Sequence, residues 1–225
     1  MSKPKTVKQF VDKLNTALAC STFYKNQYPY NLGYYHSNGK FSFDCVNLVK
    51  AILNGWEKTC KVGYFQNTLN ETGDCTELGL INQCTGVSAD FKKLKKVSVL
   101  YMNGHIGTYV GEFTMGGKTF NVIECTSNRW GDGVIATYVN EKGERIACKG
   151  SSDKCGTWAR HGLLTKWLKY EEEKPFDYKL ALRIAYKIEK GDWGNNPERK
   201  KKIINKYGEK YYTVAQSVIN HLHKY

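Results

Sequence analysis

The sequence predicts an α+β protein, with a larger domain of helices packed on an antiparallel sheet followed by a small all-helical module. Three observations lead to this prediction. Helical periodicity marks two segments within the first 53 residues, a period of two takes over from residue 97, and helical periodicity returns alone after residue 177. A chain of 225 residues is long enough to form one domain of this size and a second small one.

Two helices are predicted in the first quarter of the chain. Residues 6–19 place their apolar side chains on one helical stripe, and residues 45–53 place theirs at i, i+3, i+4 and i+7. Asn54-Gly55 signals the end of the second helix. Residues 57–96 are polar and weakly periodic, so that we expect two short helices there at most.

Four strands are predicted next, because apolar and polar side chains alternate. They cover residues 97–102, 105–113, 118–126 and 133–139. Gly116-Gly117 predicts a hairpin turn between the middle two strands. Residues 157–170 contain two tryptophans, and we expect this segment to close the domain.

A short charged segment divides the chain. Residues 171–177 contain three glutamates and a proline, and they predict a linker between a domain at 1–170 and a module at 178–225. The module's three predicted helices cover residues 178–190, 197–207 and 211–223. From residue 174 onward, 12 basic residues stand against 5 acidic ones, compared with 22 and 16 before it, so the module carries the denser positive charge.

The overall composition limits the class of protein. A hydrophobic fraction of 41% excludes wholesale disorder, and no apolar run is long enough for a transmembrane helix. The net charge of +13 favours an anionic partner such as nucleic acid, anionic lipid or an acidic cell wall, although it can also serve solubility alone. The N-terminus has no apolar signal core, so we expect accumulation in a cytoplasm, with eight cysteines as free thiols.

Cys45 is the most informative residue, since it begins the second predicted helix. Exposed N–H groups and the helix dipole at that end lead us to expect a lowered thiol pKa and a nucleophilic thiolate. His105 is the predicted general base, at the start of a strand where Gly104 and Gly107 permit close approach.

Glu124 is the predicted third member of this site. It alternates with Phe120 and Val122 and therefore points to an apolar face, where a carboxylate needs a partner such as a neighbouring imidazolium. Taken singly, these residues also suit a core cysteine, a structural histidine and a glutamate paired with lysine. Their order along the chain favours a Cys-His-Glu hydrolase.

Three segments resemble the NlpC-type peptidoglycan hydrolases, which are papain-like cysteine peptidases. They are PYNLG at 29–33, FDCVNLV at 43–49 and GHIGTYVG at 104–111, in the family's order. The resemblance implies a papain-like fold, with Cys45 as nucleophile and His105 as general base. It also implies that the Tyr30 hydroxyl contributes to the oxyanion site, together with the backbone N–H of Cys45.

Two departures from the family pattern leave the cleaved bond open. Val46-Asn47 replaces the usual Ser-Gly, and Glu124 stands where NlpC enzymes usually have a histidine. A carboxylate or amide third residue is more similar to the related CHAP-type amidases. The resemblance therefore implies either a stem or cross-bridge endopeptidase or an N-acetylmuramoyl-L-alanine amidase. No cofactor is expected, and the cysteine spacings contain no CxxC pair that would favour a metal site.

The segment GDWGNNPER at 191–199, with the helices on either side, resembles a CW-seven type cell-wall-binding repeat. The resemblance implies a three-helix bundle that binds the glycan–peptide unit of peptidoglycan, with Asp192, Asn195 and Arg199 as ligand contacts. We expect Trp193 to belong to the core of the bundle.

These features predict a bacteriolytic enzyme that resembles a phage endolysin, made in the host cytoplasm without a signal peptide and acting on the cell wall after release. We expect peptidoglycan as partner, no nucleic acid and no stable membrane insertion. Two alternatives remain open. One is an intracellular papain-like thiol hydrolase or acyltransferase that acts on protein or lipid amides. The other is a non-enzymatic protein whose basic tail binds nucleic acid with a steep salt dependence.

Overall fold

The structure, a computed structural model, describes residues 3–25, 33–60, 75–171 and 177–223. It is a mixed α+β protein with a large antiparallel sheet. The chain divides into two compact units, Met1–Glu171 and Glu172–Tyr225. The division falls at the segment predicted as a linker, of which 172–176 lie outside the described residues. Over the described ranges, no helix is long and apolar enough to cross a bilayer.

The first predicted helix is α1 (Val7–Leu18), and its start is explained by a capping box. The Thr6 hydroxyl accepts the backbone N–H of Gln9, and the Gln9 side chain accepts the backbone N–H of Thr6. Phe10 and Leu14, four residues apart, are fully buried on the face of α1 that meets the core.

The second predicted helix is α2 (Cys45–Leu53), which is buried along its whole length. The Asp44 carboxylate caps it by accepting the backbone N–H of Asn47 at 2.7 Å, and the helix ends at Asn54 as predicted. Since α2 packs between α1 and the large sheet, its first residue is held against that sheet.

The remaining elements of the first unit are mainly strands. A short helix α3 (Glu77–Asn82) and a 3₁₀ turn (Phe91–Lys93) lie in the polar region after α2. The strands are β1 (Thr22–Tyr24), β2 (Tyr34–Tyr35), β3 (Phe41–Phe43), β4 (Thr85–Ser88), β5 (Ser98–Met102), β6 (His105–Met115), β7 (Lys118–Asn128), β8 (Gly131–Val139), β9 (Glu144–Ile146), β10 (Lys154–Thr157) and β11 (Arg160–Leu163). Strands β1 to β3 form a small sheet, and the others form a large one in the order β10-β9-β8-β7-β6-β5-β11-β4.

The four predicted strands are confirmed as β5 to β8, and all their pairings are antiparallel. The predicted hairpin turn is also confirmed. Met115 pairs with Lys118 across Gly116-Gly117, whose φ angles of 56° and 74° are the left-handed values that a two-residue hairpin favours. Strands β4 and β9 to β11 were not predicted, because runs of three or four residues carry too little alternation.

The large sheet is strongly curled, and one connection shows why. β10 is at one edge and β11 is six positions away, which in a flat sheet would separate them by about 29 Å. Only Trp158 and Ala159 join them, so the gap from Thr157 to Arg160 is at most about 11 Å. The sheet must therefore close on itself as a half-open barrel.

The curl creates two cores on opposite faces of the sheet. The inner face encloses a cluster of Phe91, Leu100, Val122, Val139 and Trp158. The outer face packs on the helices, where Ile106, Ile123 and Cys125 join the main core with α1 and α2. Alternation along β6 and β7 sends neighbouring residues into different cores.

The segment predicted to close the domain does so at two places. Strand β11 inserts between β5 and β4, and farther along the chain Lys169 pairs with the N-terminal segment at Thr6. The Tyr170 hydroxyl accepts the backbone N–H of Leu164 and donates to the carbonyl of Val97, both at 2.8 Å. Backbone hydrogen bonds therefore join the start of the first unit to its end.

The second unit consists of α4 (Tyr178–Glu189), α5 (Glu198–Tyr207) and α6 (Glu209–Leu222), within two residues of the predicted bounds. Its core is small and contains Ile184, Ala185, Ile188, Ile203, Ala215 and Ile219. Trp193 packs against this core and meets the Tyr207 ring edge-on at 6.0 Å, which confirms its predicted structural place.

Candidate active site and binding groove

Cys45 lies at the first position of α2, directly after the strand β3 and the capping residue Asp44. Its Sγ accepts backbone N–H groups from Ile106 and from Val46. Because Ile106 follows His105 at the start of β6, the thiol lies close to the backbone of β6 next to the predicted general base.

The expectation of a lowered thiol pKa is wrong for this structure. Burial, and after it the negative charge of Asp44, raises the pKa of Cys45 to about 12, and the N–H groups of Ile106 and Val46 offset this only in part. The favourable end of the helix is outweighed because the residue is only 8% exposed and its nearest full charge is an anion. A nucleophilic thiolate therefore requires proton transfer to a base beside it.

His105 and Glu124 are in direct contact, as predicted. The His105 Nε2 atom is hydrogen-bonded to Oε2 of Glu124. An ionised carboxylate only accepts hydrogen bonds, so Nε2 must carry the proton. This leaves Nδ1 as the ring nitrogen able to exchange a proton with a thiol. The ring also stacks on Trp158, with centroids 5.6 Å apart and planes at 21°.

Glu124 is held by further donors that the sequence did not reveal. Thr137 donates its hydroxyl to Oε1 at 2.5 Å, and Arg145 Nε–H donates to the same oxygen at 3.0 Å. Arg145 Nη2 lies 2.7 Å from Oε2 in an ion-pair contact whose angle does not suit a hydrogen bond. Burial alone would raise the pKa of Glu124, but the His105 hydrogen bond and the charges of His105 and Arg145 hold it below its ordinary value.

Arg145 is itself fixed by aromatic rings inside the barrel. Its guanidinium carbon lies 5.3 Å from the ring centroid of Trp130 and 5.9 Å from that of Trp158. Its Nη1 donates to the Cys155 sulfur at 3.6 Å. Because Arg145 is 4% exposed and Glu124 is 1% exposed, the two charges form a buried pair.

Gly107 is required by this packing. A Cβ at this position would lie 2.9 Å from the Trp158 ring, closer than real Cβ atoms approach, and 3.0 Å from Val122, which is also tight. The expected close approach at Gly107 is therefore to Trp158, the ring on which His105 stacks.

The tyrosine predicted for the oxyanion site, Tyr30, lies outside the described residues. Tyr24, which was not predicted, lies near the thiol. It ends strand β1 in parallel register with Phe43, and burial, followed by the charges of Cys45 and Asp44, raises the pKa of its phenol.

The supporting residues could not be identified from the sequence for specific reasons. Arg145 lies in a three-residue strand, Thr137 lies two strands away from His105, and Trp158 lies in a connection without periodicity. The only available signal was the Thr137 hydroxyl in a predicted strand. Its partner could not be known before the pairing of β7 with β8 fixed the register.

The described residues contain no group of three or more His, Cys, Asp or Glu side chains placed to hold a metal ion. All eight cysteines are described, and none of them is joined to another in a disulfide.

The second unit has an open polar groove of about 550 Å³ along α6. Its walls are Tyr212, Thr213, Gln216, Ser217, Asn220 and His221. Arg199 reaches this groove, since its Nη2 donates to Gln216 Oε1 at 3.4 Å. Within the described part of the chain, its Nε is buried without a hydrogen-bond partner.

Asp192 and Asn195 lie in the exposed turn between α4 and α5 rather than among the walls of the groove. The Asn195 carbonyl accepts the backbone N–H of Arg199 at 3.0 Å and so helps to begin α5. The structure brings Arg199 alone, of the three predicted contacts, to the groove. The α6 wall residues were missed because polar side chains on a helix carry no sequence signal for a ligand.

The chain matches no known protein family, and no curated protein or solved structure is significantly similar to it.

Proposed function

We propose that the first unit is a papain-like cysteine hydrolase that cuts an amide bond in bacterial peptidoglycan. Its nucleophile is Cys45, its general base His105 and its orienting carboxylate Glu124. The observation that carries the proposal is the bonded pair of His105 and buried Glu124, at the point where the backbone of β6 meets the Cys45 thiol. There the Cys45 sulfur accepts the N–H next to His105.

The proposed reaction proceeds by acyl transfer. The Cys45 thiol gives its proton to His105 Nδ1, and the sulfur attacks the amide carbonyl carbon as the C=O π electrons move to oxygen. Collapse of this intermediate breaks the C–N bond, and His105 protonates the departing amine. His105 then takes a proton from water, the resulting hydroxide attacks the thioester, and the acid product leaves as Cys45 regains its proton.

Backbone groups at the start of α2 suit the developing oxyanion. The first N–H groups of a helix have no acceptor within the helix, and the Asp44 carboxylate takes up that of Asn47. We propose that the N–H of Cys45 donates to the oxyanion, together with the Tyr30 hydroxyl that the resemblance implies.

The second unit is proposed as the part that binds the wall. Its groove offers hydroxyl, amide and imidazole groups beside the Arg199 guanidinium, a set that suits the hydroxyls of a glycan and the carboxylates of a stem peptide. A high positive charge favours approach to an anionic wall. Together the two units support an endolysin that acts on the wall after release from the host cytoplasm.

The test is digestion of purified Gram-positive peptidoglycan, with mass spectrometry of the released fragments. We expect the wild type to release fragments whose masses identify an endopeptidase or an amidase, and Cys45→Ala to bind the wall without cutting it. Cys84→Ala is the matched control, because Cys84 is also a buried thiol whose pKa burial raises to about 12, yet it packs beside Gly162 of β11 and not at the start of α2.

Two results would contradict the proposal. One is full activity of Cys45→Ala. The other is no release by the wild type from several wall chemotypes, after which turnover of protein and lipid amides would test the thiol-hydrolase alternative.

The binding role has its own test. Arg199→Ala should weaken sedimentation with peptidoglycan about tenfold or more, because a charge-assisted hydrogen bond to a ligand is lost. Lys201→Ala removes one equal charge from the exposed face of the same helix and should change binding little. Equal losses in both variants would mean that charge alone, and not the groove, holds the wall.

A further inference from the structure

The Glu124 carboxylate is shared between two cationic side chains, and this arrangement has a consequence for His105. His105 contacts Oε2 from β6, while Arg145 contacts both oxygens from β9. The Thr137 hydroxyl on β8 completes the set at Oε1. Three different strands therefore converge on one carboxylate whose side chain has no exposed surface.

Few other charges act on this pair among the described residues. The titratable and charged groups around Cys45, His105, Glu124 and Arg145 are Asp44 and Glu77 on the α2 side, Tyr24 at the end of β1, Cys125 on β7, Cys155 on β10 and Asp132 on β8. Among the residues that the structure describes, Arg145 is the only lysine or arginine in contact with Glu124.

We propose that Arg145 is a positioning residue of this site, which neutralises Glu124 so that the carboxylate orients His105 without locking the imidazole in its protonated form. This inference rests on the proposed function, because it concerns the proton that His105 must accept from Cys45.

A buried carboxylate in contact with an imidazole favours the imidazolium form through the attraction of opposite charges. A base that already holds a proton cannot take one from a thiol. The Cys45 thiol in particular needs such a base, because burial raises its pKa. A second cation on the carboxylate cancels most of this bias.

The surroundings of Arg145 suit a fixed cation beside Glu124 and not a mobile surface side chain. Its side chain is 5% exposed, and its guanidinium contacts the rings of both Trp130 and Trp158, which restrict its movement. Trp158 also stacks on His105, so the same ring positions the base and the cation that tunes it. A planar guanidinium reaches both carboxylate oxygens at once, which a lysine ammonium does not.

The test is the pH dependence of Arg145→Gln, measured in two ways. The first is kcat/KM on peptidoglycan fragments, and the second is the rate at which iodoacetamide alkylates the peptide that contains Cys45, followed by mass spectrometry. The acid limb of each profile marks entry of a second proton into the Cys45–His105 pair. Loss of the Arg145 charge favours that proton, so we expect the acid limb to move upward by about one pH unit or more.

Two further variants control for structure. Arg129→Gln removes a guanidinium that also lies over Trp130, at 5.6 Å, but pairs with Asp153, and its profile should match the wild type. Glu124→Gln/Arg145→Gln removes both buried charges and leaves an amide to hold His105, so its acid limb should fall back to the wild-type position or below. This double variant keeps the test decisive if Arg145→Gln alone fails to fold.

An acid limb in Arg145→Gln within about 0.3 pH unit of the wild type would overturn the inference, as would an upward shift in the double variant. Because alkylation needs no substrate, it separates the two proposals. If Cys45→Ala proves fully active, the hydrolase proposal fails. If Cys45→Ala is inactive and the alkylation profile of Arg145→Gln does not move, only the role of Arg145 fails.

Discussion

The two units of the chain place their polar side chains in opposite ways. In Met1–Glu171, Glu124 and Arg145 are buried inside a curled sheet and hold one another. In Glu172–Tyr225, the polar groups lie along an open groove on α6 and in an exposed turn. Proton transfer needs charges whose positions and protonation states are fixed, whereas binding a polymer needs donors and acceptors that the polymer can reach.

The same contrast determines which substitutions should lower the unfolding free energy of each unit most. Burying an ion pair is costly, and the first unit can hold one because it has a large core on both faces of its sheet. The second unit has seven buried apolar side chains, six of them in one cluster, so its stability depends on each of them. Four predictions test this contrast.

The largest effect is expected for Glu124→Ala, which leaves the Arg145 charge buried without a carboxylate. We expect the first unit to lose about 3–5 kcal/mol of unfolding free energy, because an uncompensated buried charge is expensive. Urea unfolding of the full chain measures it, with Glu112→Ala as the control. Glu112 pairs with Lys149 at the surface, so its loss should cost at most about 1 kcal/mol. Equal losses of unfolding free energy in the two variants would show that the buried ion pair is no more sensitive to removal of its carboxylate than the exposed one.

Removing core volume from the second unit should give the next largest effect. Ile203→Ala deletes a fully buried side chain from the six-residue core and should cost about 2–5 kcal/mol, enough to unfold a unit this small. Sedimentation with peptidoglycan should be lost, while Cys45-dependent hydrolysis of small fragments continues. Ile204→Ala, one residue along and only half-buried, should retain binding. Loss of fragment hydrolysis in Ile203→Ala would show that the units do not fold independently.

Acid should affect the first unit through Glu124. Its native pKa lies below the ordinary value of 4.5, because the His105 and Arg145 contacts outweigh the effect of burial. A lowered native pKa gives stability that is full above the ordinary pKa and is lost as the pH falls through the native value. The unfolding free energy of the first unit should therefore decline below about pH 4.5, and Glu124→Gln should flatten this decline. An identical slope in both proteins would assign the acid sensitivity to other groups.

The smallest effect is expected for Gly107→Ala, which places a methyl group against Trp158 and Val122. Overpacking of this kind should cost about 1–3 kcal/mol and displace the ring that supports His105, so activity should fall more than stability suggests. Gly104→Ala, in open space at the preceding turn, meets only backbone strain at a φ of 76°. A Gly107→Ala protein with wild-type turnover would show that the Trp158 stack does not position His105.

Much of the fold was predictable because local patterns are strong in the long elements. The helices α1, α2, α4, α5 and α6 and the strands β5 to β8 each carry a full turn or several alternations, so their periods can be read without knowledge of their partners. The short strands β9 to β11 could not be found this way. They exist because neighbouring strands offer them hydrogen bonds, which a local pattern does not contain.

The candidate site also combines features that a local pattern predicts with contacts that it does not contain. The sequence alone determined that Cys45 begins a helix, that His105 begins a strand and that Glu124 faces an apolar interior, because each statement depends on a residue's place within its own element. The tertiary structure decided that the Cys45 thiol is buried and holds its proton tightly, that Thr137 and Arg145 share Glu124, and that Trp158 lies beneath His105. These contacts join residues up to about 50 positions apart. They follow from how far the sheet curls, a property that arises only when all its strands pair.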